Sequence, residues 1–203
     1  MGKIANMYLD WNIMVVNGHR MVDELVARRA IDIAKEESEL QQDVVRGDAP
    51  SASIELCGLL WDTENLAIGG YEKDGRHYYT WDEAMEAARS VGKRLPTQYE
   101  WVALCDLGST WDDELKGRWF GGNHDSDHKG SLFLPAAGLS SSKGLGYRTK
   151  MIGTSTSGYY WSSSPGYGSS YYAVNLYFYS GDVFPQDRGI RTFSFSVRCV
   201  RDK

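Results

Sequence analysis

The chain has 203 residues and a formal net charge of −5 at pH 7, with 27 acidic and 22 basic side chains. This length suffices for one domain with its own hydrophobic core, plus an extension. The negative charge, together with the lack of any basic run, excludes a general binder of nucleic acids. No apolar run is long enough to cross a membrane, and no signal peptide is recognisable. We therefore expect a protein that is made in the cytoplasm and does not insert into membranes.

Two elements are predicted ahead of the main domain. Residues 6–17 have the composition of a strand, and residues 21–45 carry an apolar stripe at helical spacing. The stripe is thin because Arg29 and Glu37 interrupt it. Such a helix either packs on the following domain or self-associates, and the pattern leaves both open. We predict an assembly or docking segment over residues 1–50.

A linker is predicted over residues 46–53, where small and turn-forming residues are concentrated. Its Arg46-Gly47-Asp48 tripeptide is an integrin-binding motif in other proteins, but three residues recur by chance and support no functional prediction. The main domain is predicted to begin near Ile54. Its early strands are expected around residues 59–61 and 78–79.

Two helices of the main domain have clear start and stop signals. Residues 80–83 and 97–100 each form a capping box, with Thr at the first position and Glu at the fourth. Gly92 and Gly108 follow as helix-ending residues. We predict one helix after each box.

The middle of the chain, residues 108–150, is rich in Gly, Ser and Asp. Loops of this kind, carried on a small sheet, often form binding surfaces. We predict loops here with one strand at residues 131–134. Trp101, Trp111 and Trp119 are expected to fill the core beneath these loops.

No metal site is predicted in this middle region. Residues 125–130 resemble the start of a calcium-binding loop, but the twelfth position is Ala136 instead of the Glu that such a loop requires. His124 and His128 are four residues apart in a glycine-rich loop that gives them no common face, so zinc binding is not expected. We predict no cofactor.

The three cysteines indicate neither a disulfide framework nor a catalytic thiol. Cys57, Cys105 and Cys199 are odd in number and widely spaced. Cys199 shares a face of its predicted strand with Phe195 and Val197, which places it in the core, whereas a catalytic cysteine has to be partly exposed. No catalytic residue is therefore predicted.

The C-terminal fifth of the chain, residues 159–201, combines a strand core with a surface rich in Tyr, Ser and Gly. From Asn175 to Tyr179 the alternation is strict, with Leu176 and Phe178 on the opposite face from the residues around them. Such a surface is typical of antibody-like binding sites, but Tyr is also common on the solvent face of an ordinary sheet. The predicted core positions are Trp161, Ala173, Leu176, Phe178, Val183, Phe195, Val197 and Val200.

Two blocks of the sequence resemble the variable proteins of diversity-generating retroelements, which are ligand binders of the C-type-lectin fold from phages and bacteria. That fold family also includes the formylglycine-generating enzymes. The resemblance extends from residue 59 to residue 201. Its first block lies at residues 79–84 and 92–101, and its second at residues 158–164, 176–183 and 195–201.

The resemblance implies an α+β protein of the C-type-lectin fold, with small mixed or antiparallel sheets, two helices and long loops. The ligand-binding domain would cover residues 54–203, after an N-terminal strand-helix extension. The variable region would cover residues 160–201.

In this family an error-prone reverse transcriptase replaces template adenines, so that Asn codons become codons for nearly any residue except Met, Trp, Lys, Glu and Gln. Those five types account for 37 of the 203 residues, yet among residues 165–198 only Gln186 belongs to them. The depletion is consistent with a diversified surface.

The implied function is recognition of a host receptor by a phage tail-fibre tip, with the protein carried in the virion. Implied partners are a host cell-surface protein or glycan, and either further copies of the chain, as in a trimer, or other tail proteins. Two alternatives stay open: a bacterial surface adhesin of the same fold, and an oxidase-like enzyme related to the formylglycine-generating enzymes. The predicted ligand-binding residues, expected together on one exposed surface around the Ser180-Gly181 turn, are Tyr167, Tyr171, Tyr172, Asn175, Tyr177, Tyr179, Asp182, Phe184, Asp187, Arg188, Ile190 and Thr192.

Overall fold

The computed structural model describes residues 52–122, 127–141 and 150–203. These ranges contain two helices, α1 (Trp81–Ser90) and α2 (Gln98–Asp106). They also contain thirteen strands: β1 (Ser53–Leu56), β2 (Leu59–Asp62), β3 (Tyr71–Lys73), β4 (Arg76–Tyr78), β5 (Ser109–Asp112), β6 (Gly117–Phe120), β7 (Leu132–Pro135), β8 (Leu139–Ser140), β9 (Met151–Ile152), β10 (Ser157–Pro165), β11 (Tyr172–Tyr179), β12 (Val183–Ile190) and β13 (Val200–Asp202). The predicted N-terminal strand and helix, the Arg46-Gly47-Asp48 tripeptide and His124 lie outside the described residues.

The architecture is α+β, as predicted, and its sheets are small and antiparallel. One sheet has the order β1-β2-β13, so the start of the described domain is paired with the C-terminus of the chain. A second has the order β5-β6-β7, and a third the order β10-β11-β12. Two-stranded sheets are formed by β3 with β4 and by β8 with β9. No helix in the described part of the chain is long and apolar enough to cross a membrane.

Both predicted helices are confirmed, and so are their capping boxes. At α1 the carboxylate of Glu83 accepts a hydrogen bond of 3.0 Å from the backbone N–H of Thr80. At α2 the carboxylate of Glu100 accepts one of 2.7 Å from the N–H of Thr97, whose hydroxyl in turn accepts one from the N–H of Glu100 at 3.2 Å. Each box satisfies N–H groups that the first helical turn leaves without partners.

The middle of the chain differs from the prediction. The strand expected at residues 131–134 is confirmed as β7, but it pairs with β6, and β6 pairs with β5. The prediction of loops was wrong for β5, which is mostly polar, and for β6, where Arg118 interrupts the apolar pattern. Trp101 is fully buried as expected, whereas Trp111 and Trp119 are only half-buried.

The β10-β11-β12 sheet lies between two hydrophobic cores. The first core, on the side covered by α2, contains Leu59, Trp61, Trp101, Leu104, Phe120, Leu132, Leu134, Ala136, Tyr160, Leu176, Phe178 and Val200. The second core contains Tyr79, Ala84, Ala88, Leu95, Leu139, Trp161, Ala173, Phe195, Val197 and Cys199. The predicted alternation of Leu176 and Phe178 is therefore confirmed, since both point into the first core.

The segment before β13 is less regular than predicted. Residues 195–200 were expected to form a strand, but Phe195 and Ser196 make only isolated bridges, to Tyr79 and Tyr160. Arg198 is 1% exposed and its guanidinium donates hydrogen bonds of 2.9 Å to the carbonyl of Asp62 and 2.7 Å to Oδ1 of Asn65. Both sides of this segment are thus buried, one by apolar contacts and the other by a hydrogen-bonded charge, as a buried charge requires.

Candidate ligand-binding surface

The turn between β11 and β12 is held in place by a buried arginine of β6. Arg118 is 8% exposed, and its Nε and Nη2 each donate a hydrogen bond of 3.1 Å, to the carbonyl oxygens of Tyr179 and Ser180. Its Nη1 donates one of 2.6 Å to the hydroxyl of Ser109. The predicted turn at Ser180-Gly181 is therefore clamped to the β5-β6-β7 sheet through the backbone, whatever side chains the turn itself carries.

Four aromatic rings form a contiguous group beside this turn, which we call the turn patch: Tyr159, Tyr177, Tyr179 and Phe184. Tyr159 and Tyr177 stack across neighbouring strands with ring centroids 4.8 Å apart, and Tyr177 stacks on Phe184 at 5.5 Å. Tyr179 lies 6.0 Å from Tyr177 and 6.3 Å from Phe184. Offset stacking at these distances is favourable beyond the area that it buries. The turn patch is thus an ordered ladder of rings across three strands.

Tyr159 was not among the predicted ligand-binding residues, although it completes this ladder. Its ring is half-buried and packs on Phe195 at 5.2 Å. Burial, reinforced by the neighbouring Tyr177, raises the pKa of Tyr159 to about 12. Its hydroxyl therefore stays neutral at physiological pH and can both donate and accept hydrogen bonds.

Asn175 was expected on the exposed surface, and this prediction was wrong. The side chain is fully buried. It lies on the central strand β11, in register with Trp161 and Asp187, and Phe195 stacks on Trp161 at 4.0 Å to cover this part of the sheet. Its Nδ2 donates a hydrogen bond of 3.3 Å to Asp187, while its Oδ1 has no partner in the described part of the chain.

A second group of exposed residues lies at the other end of the hairpin, and we call it the tyrosine patch: Tyr99, Tyr167, Tyr171, Tyr172 and Arg188. The four tyrosines are 67%, 62%, 55% and 36% exposed. Tyr171 and Tyr172 meet edge to face at 5.3 Å, and the guanidinium carbon of Arg188 lies 5.9 Å from the centroid of the Tyr172 ring. That distance is within the range of a cation–π contact.

One residue of the tyrosine patch, Tyr99, belongs to the first turn of α2. The hydroxyl of Tyr167 accepts a hydrogen bond from Nε2 of Gln98, the residue before Tyr99. The bond from Gln98 lowers the pKa of Tyr167, and the neighbouring hydroxyl of Tyr167 raises the pKa of Tyr99. A further bond of 3.0 Å, from the N–H of Gln98 to the hydroxyl of Ser164, ties the helix to the end of β10.

The predicted residues do not all share one surface around the turn. Tyr172 and Tyr179 are seven residues apart on β11, which corresponds to roughly 23 Å at about 3.3 Å per residue. Because the spacing is odd, their side chains also point to opposite faces of the sheet. Tyr177, Tyr179, Asp182 and Phe184 lie at the turn end. Tyr167, Tyr171, Tyr172, Arg188, Ile190 and Thr192 lie at or near the other end.

The degree of exposure nevertheless follows the prediction at most positions. Eight of the positions are exposed: Tyr167, Tyr171, Tyr172, Tyr179, Asp182, Phe184, Arg188 and Thr192. Half-buried are Tyr177, Asp187 and Ile190.

Sequence reasoning also missed Tyr99, although a signal was present. The buried residues of α2 include Trp101 and Leu104. A residue two positions before Trp101 cannot share its face of a helix. An aromatic residue at that position is therefore expected to point away from the core.

Outside the two patches, we also considered catalytic thiols, metal-binding groups and cavities in the described part of the chain. Burial raises the pKa of both Cys105 and Cys199 to about 12, so both thiols stay protonated at neutral pH. Among the described residues there is no group of three His, Cys, Asp or Glu side chains arranged to hold a metal ion. Two open cavities of about 310 and 420 Å³ lie beside Lys93 and Arg94.

Comparison of the chain with protein-family models, with curated proteins and with solved structures found no match. The function is therefore inferred from the residues and their arrangement. The two patches offer aromatic area, neutral hydroxyl groups and one guanidinium on a sheet that is anchored from both sides. These groups are suited to non-covalent recognition.

Proposed function

We propose that the chain is a ligand-binding protein of the C-type-lectin fold, diversified by a retroelement, that recognises a host receptor at the tip of a phage tail fibre. The family and the phage setting come from the sequence resemblance. The binding role draws its main support from one structural observation, the separation of core and surface residues within residues 159–201.

In that segment, core and surface positions lie on the same strands. Seven of the eight predicted core side chains are at most 1% exposed, and the eighth, Val183, is half-buried against the first core. Of the twelve predicted ligand-binding side chains, only Asn175 is buried. Exposed positions tolerate substitution at little cost in stability. A surface of this kind can change its residues between variants while the fold stays the same.

The proposed mechanism is recognition by a surface that is ordered before it binds. The clamp from Arg118 holds the turn of the hairpin through two backbone carbonyl groups, and the N–H of Gln98 ties α2 to the end of β10. A surface that is already ordered loses less conformational entropy on binding. Tyrosine adds contact area with few rotatable bonds.

The experiment compares two sets of serine substitutions. The test variant replaces Tyr167, Tyr171, Tyr172 and Tyr179. The matched control replaces four large apolar residues that are exposed in the described ranges and lie outside both patches, Ile68, Leu107, Leu115 and Ile152. Both variants are examined by thermal melting and by binding to a panel of bacterial cells and to arrays of proteins and glycans.

We expect similar melting temperatures for both variants and loss of binding in the test variant alone. A test variant that melts far below the control would mean that the tyrosines belong to the core. Equal binding by both variants would place the ligand elsewhere. A wild-type chain that binds no cell, protein or glycan would contradict the proposed function.

The retroelement origin is tested separately at the level of the gene. We expect a near-copy of the codons for residues 160–201 beside a reverse transcriptase gene, differing almost only at adenines. A locus with neither feature would contradict diversification and leave the binding role to the experiment above.

We also propose that residues 1–50 mediate assembly into a homo-oligomer, such as a trimer, or attachment to another tail protein. The support is the predicted helix of residues 21–45. Its thin apolar stripe is too weak for a self-sufficient helix pair, but the helix is long enough to dock in a symmetric oligomer or on another protein. Light scattering should give an oligomeric mass for the full chain. A monomeric mass would contradict self-assembly.

A further inference from the structure

Exposed aromatic side chains are concentrated in the tyrosine patch. Six Tyr, Phe or Trp residues of the described ranges are exposed, and four of them are Tyr99, Tyr167, Tyr171 and Tyr172. The other two, Tyr179 and Phe184, belong to the turn patch. Tyr and Arg are enriched among the residues that dominate the energy of protein interfaces. The composition of the tyrosine patch is therefore that of an interface centre.

The patch also carries a positive charge that is paired with no carboxylate of the described ranges. None of the ion pairs between described residues involves Arg188. Arg191, three residues further along the chain, is different, because it pairs with Asp82 at 2.6 Å and stacks on Trp81 at 4.0 Å. In a chain of net charge −5, the free guanidinium of Arg188 is complementary to a carboxylate on a partner.

Tyr99 differs from the other residues of the patch in its origin. It belongs to α2, outside residues 160–201, yet it is the most exposed of the four tyrosines. The preceding residue, Gln98, donates hydrogen bonds to the hydroxyl groups of Tyr167 and Ser164, and these bonds fix α2 beside the C-terminal segment. The scaffold therefore holds one aromatic side chain among those supplied by the C-terminal segment.

The exposure of the patch favours a protein over a sugar as its occupant. Sugars and other small ligands bind in concave sites that cover most of their surface. The two open cavities described above are lined by none of the five residues of the patch. An open surface of exposed tyrosines around one arginine matches the centre of a protein–protein interface better.

We propose that the tyrosine patch is the docking surface for an acidic loop of a partner protein, with a partner carboxylate bound by Arg188 and with Tyr99 as a fixed contact from the scaffold. The proposal rests on the ligand-binding function proposed above and narrows it. It assigns recognition to one end of the sheet and adds a binding residue outside the variable region.

The test uses the full chain and an array of twelve-residue peptides of graded net charge, with an array of neutral and acidic oligosaccharides as the second arm. The wild type should bind acidic peptides preferentially. Tyr99→Ser and Arg188→Gln should each weaken that binding by about tenfold or more, as expected for residues at the centre of an interface. Leu115→Ser, which removes an exposed apolar side chain outside both patches, is the control and should change it by less than about twofold.

A charge reversal separates a direct contact from an indirect structural effect. Arg188→Glu should shift the preference from acidic to basic peptides while the melting temperature stays that of the wild type. Wild-type binding to acidic oligosaccharides and not to peptides would overturn the choice of a protein partner. Binding that survives Tyr99→Ser and Arg188→Gln would overturn the assignment of the patch, while binding of the wild type to any target would still support the broader function.

If the wild type binds no peptide of either charge but does bind cells in the panel described above, the acidic-loop proposal fails and the ligand-binding function stands. If it binds neither, both fail.

Discussion

The two ends of the β10-β11-β12 sheet have similar compositions but different structures. At the turn end, rings stack from strand to strand and rest on Phe195 of the second core. At the other end, Tyr167 and Tyr171 are more than half exposed, and Arg188 lies over Tyr172. Cross-strand aromatic pairs stabilise a sheet, whereas exposed rings are available to a partner. We therefore propose that similar residues serve mainly stability at one end and recognition at the other.

This difference can be tested by substitutions, because it predicts a different loss of stability when residues of the core, the Arg118 clamp, the turn patch or the tyrosine patch are replaced. The largest cost is expected in the core beneath the sheet. The cost should decrease through the clamp at the turn and the stacked turn patch. It should be smallest in the tyrosine patch.

Trp161→Ala should lower the free energy of unfolding by about 3–5 kcal/mol, the usual cost of removing a large buried aromatic side chain. The side chain is fully buried, stacks on Phe195 at 4.0 Å and donates a hydrogen bond of 2.7 Å to the carbonyl of Tyr79. Chemical denaturation monitored by circular dichroism measures the loss. A decrease below about 1 kcal/mol would place Trp161 at the surface and contradict the division into core and surface.

Arg118→Met should cost about 2 kcal/mol, since it removes charge-assisted hydrogen bonds to the turn and leaves two carbonyl groups without their donors. Methionine preserves much of the aliphatic packing of the arginine stem. We expect amide hydrogen exchange to accelerate at residues 179–183 and to stay unchanged at residues 171–173, at the other end of the hairpin. Equal acceleration at both ends would show that the clamp stabilises the whole sheet and not the turn.

The parts of this fold that could be predicted from the sequence are those whose causes are local. The capping boxes at residues 80–83 and 97–100 set the starts of both helices, and the alternation of Leu176 and Phe178 gave the inner face of β11. In each case the physical reason lies within a few residues of the chain.

The predictions that failed depended on contacts between distant residues. β6 was missed because Arg118 looks like a surface residue until its acceptors, the carbonyl groups of Tyr179 and Ser180, are brought beside it. Asn175 follows the polar alternation of its strand but is covered by the segment that carries Phe195. Pattern alone does not show which part of a sheet face another segment covers.

The division of the site into two patches was hidden for a geometric reason. The predicted residues are close in sequence, but an extended strand separates its ends by about 3.3 Å per residue. Tyr172 and Tyr179 are therefore far apart although they belong to one strand.

Tyr177→Ser should cost about 1 kcal/mol, because it removes the central ring of the ladder between Tyr159 and Phe184. The same substitution should leave peptide binding nearly unchanged if recognition belongs to the tyrosine patch. Thermal melting and the peptide array give the two readouts. Unchanged stability combined with lost binding would mean that the turn patch is the recognition surface. The roles assigned to the two ends of the sheet would then be exchanged.

Tyr171→Ser should have the smallest effect on stability, within about 0.5 kcal/mol, the range usual for exposed substitutions. The ring is 55% exposed and touches Tyr172 only edge to face. Serine keeps a hydroxyl group and introduces no charge, so a change in binding reports the loss of aromatic contact area. We expect the melting temperature of the wild type together with weaker binding to acidic peptides. Because Tyr171 and Tyr177 lie on the same short stretch of chain and receive the same substitution, each serves as the control for the other. A Tyr171→Ser variant that loses as much stability as Tyr177→Ser would show that both ends of the sheet depend on their rings in the same way.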